Sequence, residues 1–257
     1  MKLCVLVKQV PGSESALRIA SGNTWVEDAA ALFEMNESDN YALEEALRIK
    51  ESLGNDSEVV VVSMGPERVQ KVIREALSKG ADRGIHINEM PEIKSDPFAT
   101  AQVFANVIKV ENFDLIFSGL QSDDVGSGQT GVILGEMLGM ATATLVMATE
   151  VQEGSIKVKR ELESGWFQWV SMLTPASITI QSGINQPRYP SLKGIMGAKK
   201  KEMKVVDLST AVTIEKQQSF ANIYLPIADK KTEMIEGNVD QMVSRLVDVL
   251  KTEIKVL

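Results

Sequence analysis

One histidine and one cysteine among 257 residues leave most catalytic chemistries without their usual side chains. Histidine acid–base catalysis would rest on His86 alone, which lies in Arg83-Gly84-Ile85-His86-Ile87 and reads as a half-exposed strand residue. A zinc or haem centre lacks a credible set of His and Cys ligands. No G-x-S-x-G elbow marks a hydrolase nucleophile. Cys4 has no second cysteine to pair with, so no internal disulfide forms and a reducing cytoplasm is the expected home. Apolar runs long enough to span a bilayer are missing, and Met1-Lys2-Leu3-Cys4-Val5-Leu6-Val7-Lys8 is interrupted too soon for a signal peptide. No direct membrane insertion is expected. Positive charge is also short: the net charge is −8 and the pI near 4.9. That balance argues against nucleic acid or an anionic membrane as partner, although Lys199-Lys200-Lys201 is locally basic.

What is present is an ordinary soluble composition, 44% hydrophobic and 24% charged, at a length that suits one large domain or a domain with an extension. Leu3 to Val7 and Val59-Val60-Val61-Val62 are continuous apolar runs, as in parallel strands covered on both faces. Arg83 to Ile87 and Asp114 to Ser118 read as further strands. Helical spacing predicts Tyr41 to Leu53 (capped by Asn36 or Asp39), Glu67 to Lys79 (stopped by Gly80) and Phe98 to Glu111. This β–α order predicts a doubly wound, mostly parallel α/β sheet, with any ligand beyond the carboxyl ends of its strands. After Met140 come four successive strands, Thr144 to Val151, Ile156 to Leu162, Phe167 to Met172 and Ser177 to Gln181, with Trp166 and Trp169 packing on the sheet. Ser182 to Ala198 reads as a loop and Asn238 to Leu250 as a last helix. Between Asp207 and Glu236 no period is convincing, yet Val212, Ile214, Phe220, Ile223, Leu225 and Ile227 keep the segment apolar. An arm lying on a partner subunit explains that combination.

The most informative stretch is Gly119-Leu120-Gln121-Ser122-Asp123-Asp124-Val125-Gly126-Ser127-Gly128-Gln129-Thr130-Gly131, set between a strand and a helix start. Glycines let the backbone approach a ligand closely, and the first free N–H groups of a helix point at an anion. The pattern is neither a Walker loop nor a GxGxxG fingerprint, so phosphate binding and a plain capped turn both fit it. The strand-end loops Lys8 to Pro11 and Ser63 to Pro66 would meet it on one ligand.

Several motifs together resemble the β subunit of electron transfer flavoproteins along nearly the whole chain. They are Val5-Leu6-Val7-Lys8-Gln9-Val10-Pro11, Met35-Asn36-Glu37-Ser38-Asp39-Asn40-Tyr41-Ala42-Leu43-Glu44-Glu45-Ala46, Val62-Ser63-Met64-Gly65-Pro66, Gly80-Ala81-Asp82-Arg83-Gly84-Ile85-His86 and the Gly119 loop. Arg160-Glu161-Leu162-Glu163-Ser164-Gly165 and Asn185-Gln186-Pro187-Arg188-Tyr189-Pro190-Ser191-Leu192-Lys193-Gly194-Ile195-Met196 complete the set. The resemblance implies an adenine nucleotide α-hydrolase-like fold with extra β-strands and an extended C-terminal arm. It divides the chain into a nucleotide-binding domain over 1–206, with a recognition loop at 184–200, and an arm and helix over 207–257. It implies a non-catalytic electron carrier subunit of a heterodimer, with FAD shared with or held by the α subunit and AMP bound here as a structural element. By the same resemblance, AMP contacts fall at Leu6, at Asn36, Glu37, Ser38 and Asp39, at Met64, and from Gly119 through Thr130. Glu161 would pair with the α subunit's flavin domain, and Tyr189, Leu192, Ile195 and Met196 would dock dehydrogenases such as acyl-CoA dehydrogenases. In electron-bifurcating members a second FAD replaces AMP, but their loop more often reads Asp-Gly-Asp-Thr-Ala-Gln-Val-Gly, from which Gly126-Ser127-Gly128 departs. A stand-alone adenine-nucleotide enzyme is disfavoured, because Lys8-Gln9-Val10-Pro11-Gly12 stands where a Ser-Gly-Gly-x-Asp-Ser loop would be needed.

Overall fold

The structure, a computed structural model, describes residues 1–54, 56–88, 96–207, 214–226 and 232–257. In chain order the strands are β1 (Lys2–Leu6), β2 (Gln9–Pro11), β3 (Phe33–Met35), β4 (Glu58–Gly65), β5 (Arg83–Asn88), β6 (Leu115–Gly119), β7 (Ala141–Gln152), β8 (Ser155–Glu161), β9 (Phe167–Leu173), β10 (Ala176–Ile180) and β11 (Met203–Val206). The helices are α1 (Glu37–Leu53), α2 (Gln70–Lys79), α3 (Pro97–Ile108), α4 (Thr130–Met137), α5 (Leu192–Ala198) and α6 (Val239–Asp248).

Nine strands form one sheet in the order β11-β5-β4-β1-β6-β10-β7-β8-β9. From β11 to β7 all neighbours are parallel, and β7-β8-β9 is an antiparallel meander. Helices cover both faces, as the continuous apolar runs require. Leu3, Val5, Val59, Val61, Leu115 and Phe117 pack with α1 and α2, while Cys4, Leu6, Val60, Val62 and Ile116 pack with α3 and Leu134 of α4. Each such fully buried side chain contributes roughly 1.5–3 kcal/mol. Cys4, in an interior strand of the sheet, is wholly buried, and burial pushes its thiol far up from the usual range. The chain crosses from the β4–β5 side to β6 through α3, so the sheet reverses its winding between β1 and β6. Their carboxyl ends splay apart there, leaving a crevice.

Several expectations need correction. Ser182 to Ala198 is not loop throughout: Ser191 caps α5 through its hydroxyl, which accepts from the Gly194 N–H at 3.0 Å. His86 is buried, not half-exposed. Its Nε2 lies 2.8 Å from the Gly65 carbonyl and its Nδ1 3.2 Å from Gln70 Nε2, so a neutral ring with Nε2–H satisfies both. Trp166 and Trp169 do not pack into the sheet; they are 73% and 44% exposed, and Lys157 Nζ sits 4.5 Å from the Trp169 ring centre.

The chain forms two compact units, Met1–Ile223 and Tyr224–Leu257. The first described part of the apolar arm lies on its own unit. Ile214 packs against the α3 side of the core, Phe220 stacks on Trp25, and Asp96 accepts from the Gln217 and Gln218 N–H groups. Val212 and Ile227 fall outside the described residues. In the second unit, Asn238 and Gln241 form a capping box at the start of α6, and Arg245 meets Glu233, Asp248 and Glu253.

Candidate functional site

The crevice at the carboxyl ends of β1, β4 and β6 is a cavity of about 230 Å³. Its walls come from the loops after those three strands, from the start of α3, and from Trp25 and Phe33. The N-terminus of α1 organises it. Asp39 Oδ2 accepts from the Lys8 N–H at 2.7 Å and Oδ1 from the Gly119 N–H at 2.8 Å, so one carboxylate joins the ends of β1 and β6. Burial pushes the Asp39 carboxyl up to about 6, against the pull of those two N–H groups, Asn36 and the Lys8 charge.

Asn36, expected as a helix cap, makes no capping bond with its side chain. Its Nδ2 donates to the Gln121 carbonyl at 3.0 Å, and its Oδ1 accepts from the Asp123 N–H at 2.9 Å. Ser38 Oγ donates to the same carbonyl at 2.8 Å, and Asp123 Oδ2 in return accepts from the Glu37 N–H at 3.0 Å. Glu37, Ser38 and Asp123 therefore brace the loop from behind and do not line the cavity. Gly119 leaves no room for a Cβ, which would collide with Ser38 and Asp39.

Beyond that brace the loop curls back. Gly126 and Gly128 adopt φ of 68° and 63°, the left-handed region that favours glycine. The Gly126 N–H is used inside the loop, donating to the Ser122 carbonyl at 2.8 Å, and Gly126 does not line the cavity. Val125, Ser127, Gly128, Gln129 and Thr130 do, with α4 starting at Thr130 and no side chain capping it. The remaining expected residues, Leu6, Asn36, Asp39, Met64, Gly119, Leu120, Gln121, Ser122 and Asp124, also line it.

Sequence reasoning did not single out the cations. Lys8 Nζ reaches Asp124 Oδ1 at 2.6 Å and Ser122 Oγ at 3.2 Å. Arg68 lies over the Phe33 ring, 3.6 Å from its centre, beside Gln9 and Asp28. Asp96 was also missed, although Asp-Pro before an apolar run is a helix-start signature. Its Oδ1 caps α3 through the Phe98 and Ala99 N–H groups while Oδ2 takes Gln217 and Gln218. Burial raises its carboxyl, but these four donors outweigh that and hold it below the usual range. Among the described residues, no group of His, Cys, Asp and Glu side chains could hold a metal ion. No described helix is long and apolar enough to cross a membrane.

Two expected partner contacts lie away from the cavity. Glu161 ends β8, with its Oε2 accepting from Gln181 Nε2 at 3.1 Å beside a shallow hollow lined by Leu145, Leu162 and Trp166. On and before α5, Tyr189, Leu192 and Met196 are 93%, 83% and 74% exposed, and Ile195 is partly so.

The family model described as the electron transfer flavoprotein domain matches residues 24–211. A protein named electron transfer flavoprotein subunit beta from Methylophilus methylotrophus is 36% identical over 259 residues, covering 97% of this chain and 98% of its own. Proteins of the same name from Bradyrhizobium diazoefficiens and Bacillus subtilis are 40% and 31% identical. They cover 83% and 100% of this chain, and 85% and 100% of their own lengths.

Proposed function

The chain belongs to the electron transfer flavoprotein family as a β subunit, and from that premise we propose that its cleft binds AMP as a structural ligand. Membership implies a heterodimer with an α subunit and a flavin in that dimer. When bound, the FAD supplies the electron-accepting and electron-donating chemistry; this chain's residues bind, brace and orient.

The observation that carries the AMP reading is the curl at Gly126 and Gly128, which brings backbone and the uncapped start of α4 to the cavity wall. Such a wall suits a phosphate monoester through close backbone N–H groups and the positive end of a helix dipole. Because the Gly126 N–H is occupied, the phosphate donors are the N–H groups from Ser127 to Gln129 and the Thr130 hydroxyl. Leu6, Met64 and the wall near Asn36 supply apolar and amide surface for a base. Lys8 offers charge only by sharing with Asp124. A single phosphate needs no more.

Tyr189, Leu192, Ile195 and Met196 form the surface that docks dehydrogenases such as acyl-CoA dehydrogenases. Leu192 is the anchor, and the flexible Met196 an adaptable neighbour. Glu161, half-buried at the end of β8, steadies one orientation of the flavin domain. The test of the cleft is chemical: denature the purified heterodimer and count what is released. One AMP and one FAD per dimer support the reading. Two FAD and no AMP overturn it in favour of a bifurcating carrier.

A further inference from the structure

The apolar loop after β10 is exposed at its tip yet tied down at its base more heavily than any docking role alone explains. The ties converge on Arg188, one residue before the exposed Tyr189. Its Nε and Nη2 donate to the two oxygens of Glu44 at 2.8 and 2.9 Å, and its backbone N–H donates to Glu44 Oε2 at 3.1 Å. The same guanidinium donates to both oxygens of Glu51 at 2.5 and 3.1 Å. Glu44 and Glu51 lie two turns apart on α1, so the planar fork spans two carboxylates of one helix face. Glu44 is buried, and the Arg188 side chain is only 31% exposed, whereas Glu51 is 59% exposed. The Glu44 pairing therefore fixes geometry in a way a surface ion pair does not, and Glu51 adds a second, solvent-facing contact.

Two further contacts hold the ends of the same segment. Asn185 Nδ2 donates to the Tyr41 carbonyl and to Glu45 Oε2, each at 3.0 Å. Arg74 Nη1, from α2, donates to the carbonyls of Ala198 and Lys201 at 2.7 and 2.9 Å, closing the end of α5. Gly194 allows the close approach, since a Cβ there would strike the Ser78 carbonyl of α2. None of these polar groups reaches the exposed face, where Leu192 and Met196 stand.

We propose that Arg188 is a positioning residue for electron transfer: by bridging Glu44 and Glu51 it holds the 189–198 segment in the one conformation that presents Leu192, without touching the docking partner. This rests on the docking reading of that segment. An apolar anchor on a loop that must be ordered at each encounter binds more weakly by the ordering cost, and prior immobilisation removes that cost. Lysine cannot replace the fork, because a point ammonium meets one carboxylate at a time.

The test uses the complete αβ complex with Arg188→Ala, Arg188→Lys and Leu192→Ala. The readouts are steady-state transfer from an acyl-CoA dehydrogenase, reduction of the Arg188 variants by dithionite, and amide hydrogen exchange across 189–198 without any partner. The proposal expects Arg188→Ala to raise the half-saturating carrier concentration about tenfold, with kcat and the dithionite rate unchanged, and to speed exchange in that segment alone. Arg188→Lys should fall between wild type and alanine. If Arg188→Ala leaves Glu44 unpaired and the protein unfolds, Arg188→Ala combined with Glu44→Gln removes both charges and should show the same shift. Unchanged half-saturation in Arg188→Ala overturns the proposal while leaving docking intact, provided Leu192→Ala still raises it. Unchanged half-saturation in Leu192→Ala overturns the docking reading, and the positioning role with it.

Discussion

Residues 119–131 and 182–198 are both rich in turn-forming residues, and both are fastened to α1, yet they offer opposite surfaces. The first is braced by the first turn of α1: Asn36, Ser38 and Asp39 take up its carbonyls and N–H groups, and it presents backbone to a concave cavity. The second is braced by later turns: Glu44, Glu45 and Glu51 take up Asn185 and Arg188, and it presents apolar side chains to solvent. In the first, side-chain polarity is consumed so that main-chain polarity is free for a ligand. In the second, polarity is consumed at the base so that only hydrophobic surface remains at the tip. On the proposed reading one helix serves two recognition chemistries, and damage to each should be separable.

At pH 7, Gly119→Val should give the largest effect. Its side chain would enter the space of Ser38 and Asp39, and overpacking of this kind costs about 3 kcal/mol. Urea unfolding of the complex should show a lower midpoint together with lost nucleotide. Retained nucleotide with lost docking would break the comparison. Asp39→Asn comes next. An amide cannot accept from both Lys8 and Gly119, so one N–H is stranded at a cost of ~1–3 kcal/mol at pH 7. Its pH dependence has a definite sign. The folded carboxyl is raised to about 6, so the stability linked to its protonation is fully present below the unfolded value and is lost as pH rises through 6. The gap between wild type and Asp39→Asn should therefore widen by up to ~3 kcal/mol between pH 7 and pH 4, read from denaturant midpoints. A narrowing gap would contradict the burial of this carboxylate. Leu192→Ala should leave stability, FAD and nucleotide in place while weakening dehydrogenase docking by about 2 kcal/mol, roughly thirtyfold. Equal loss with a small chemical reductant would make Leu192 structural. Glu161→Ala should be smallest, ~0–1 kcal/mol, because its partner would be met in water. Small-angle scattering and transfer rates should shift slightly; no change in either would remove Glu161 from the flavin-domain contact.

The parallel sheet and the cleft were legible because their signals are local. Short β-branched runs such as Val59 to Val62 read as strands covered on both sides, and glycines between a strand and a helix mark a tight turn or a close backbone approach. What stayed hidden depends on partners distant in sequence. The α5 helix was masked by Pro187, Pro190 and Gly194, since its glycine makes sense only against the Ser78 carbonyl of α2. His86 reads as half-exposed until Gly65 and Gln70 are seen to satisfy it. Arg68 reads as part of the Glu67 to Lys79 helix, and only the fold brings it to the cavity over Phe33. The short β2–β3 pair and β11 are only three or four residues each and carry no period to detect.

Cys4 is the chain's one sulfhydryl, and it lies in an interior strand with no solvent access and a suppressed thiolate. In the native subunit it is therefore silent toward alkylating reagents and toward oxidants that act on thiolates. A carrier that handles electrons keeps its own sulfur out of circulation. The same seclusion gives the protein an internal clock: a maleimide or disulfide reagent can reach Cys4 only when β1 leaves the sheet. The labelling rate then counts whole-domain openings, one molecule at a time, against a background with no competing thiol in this chain.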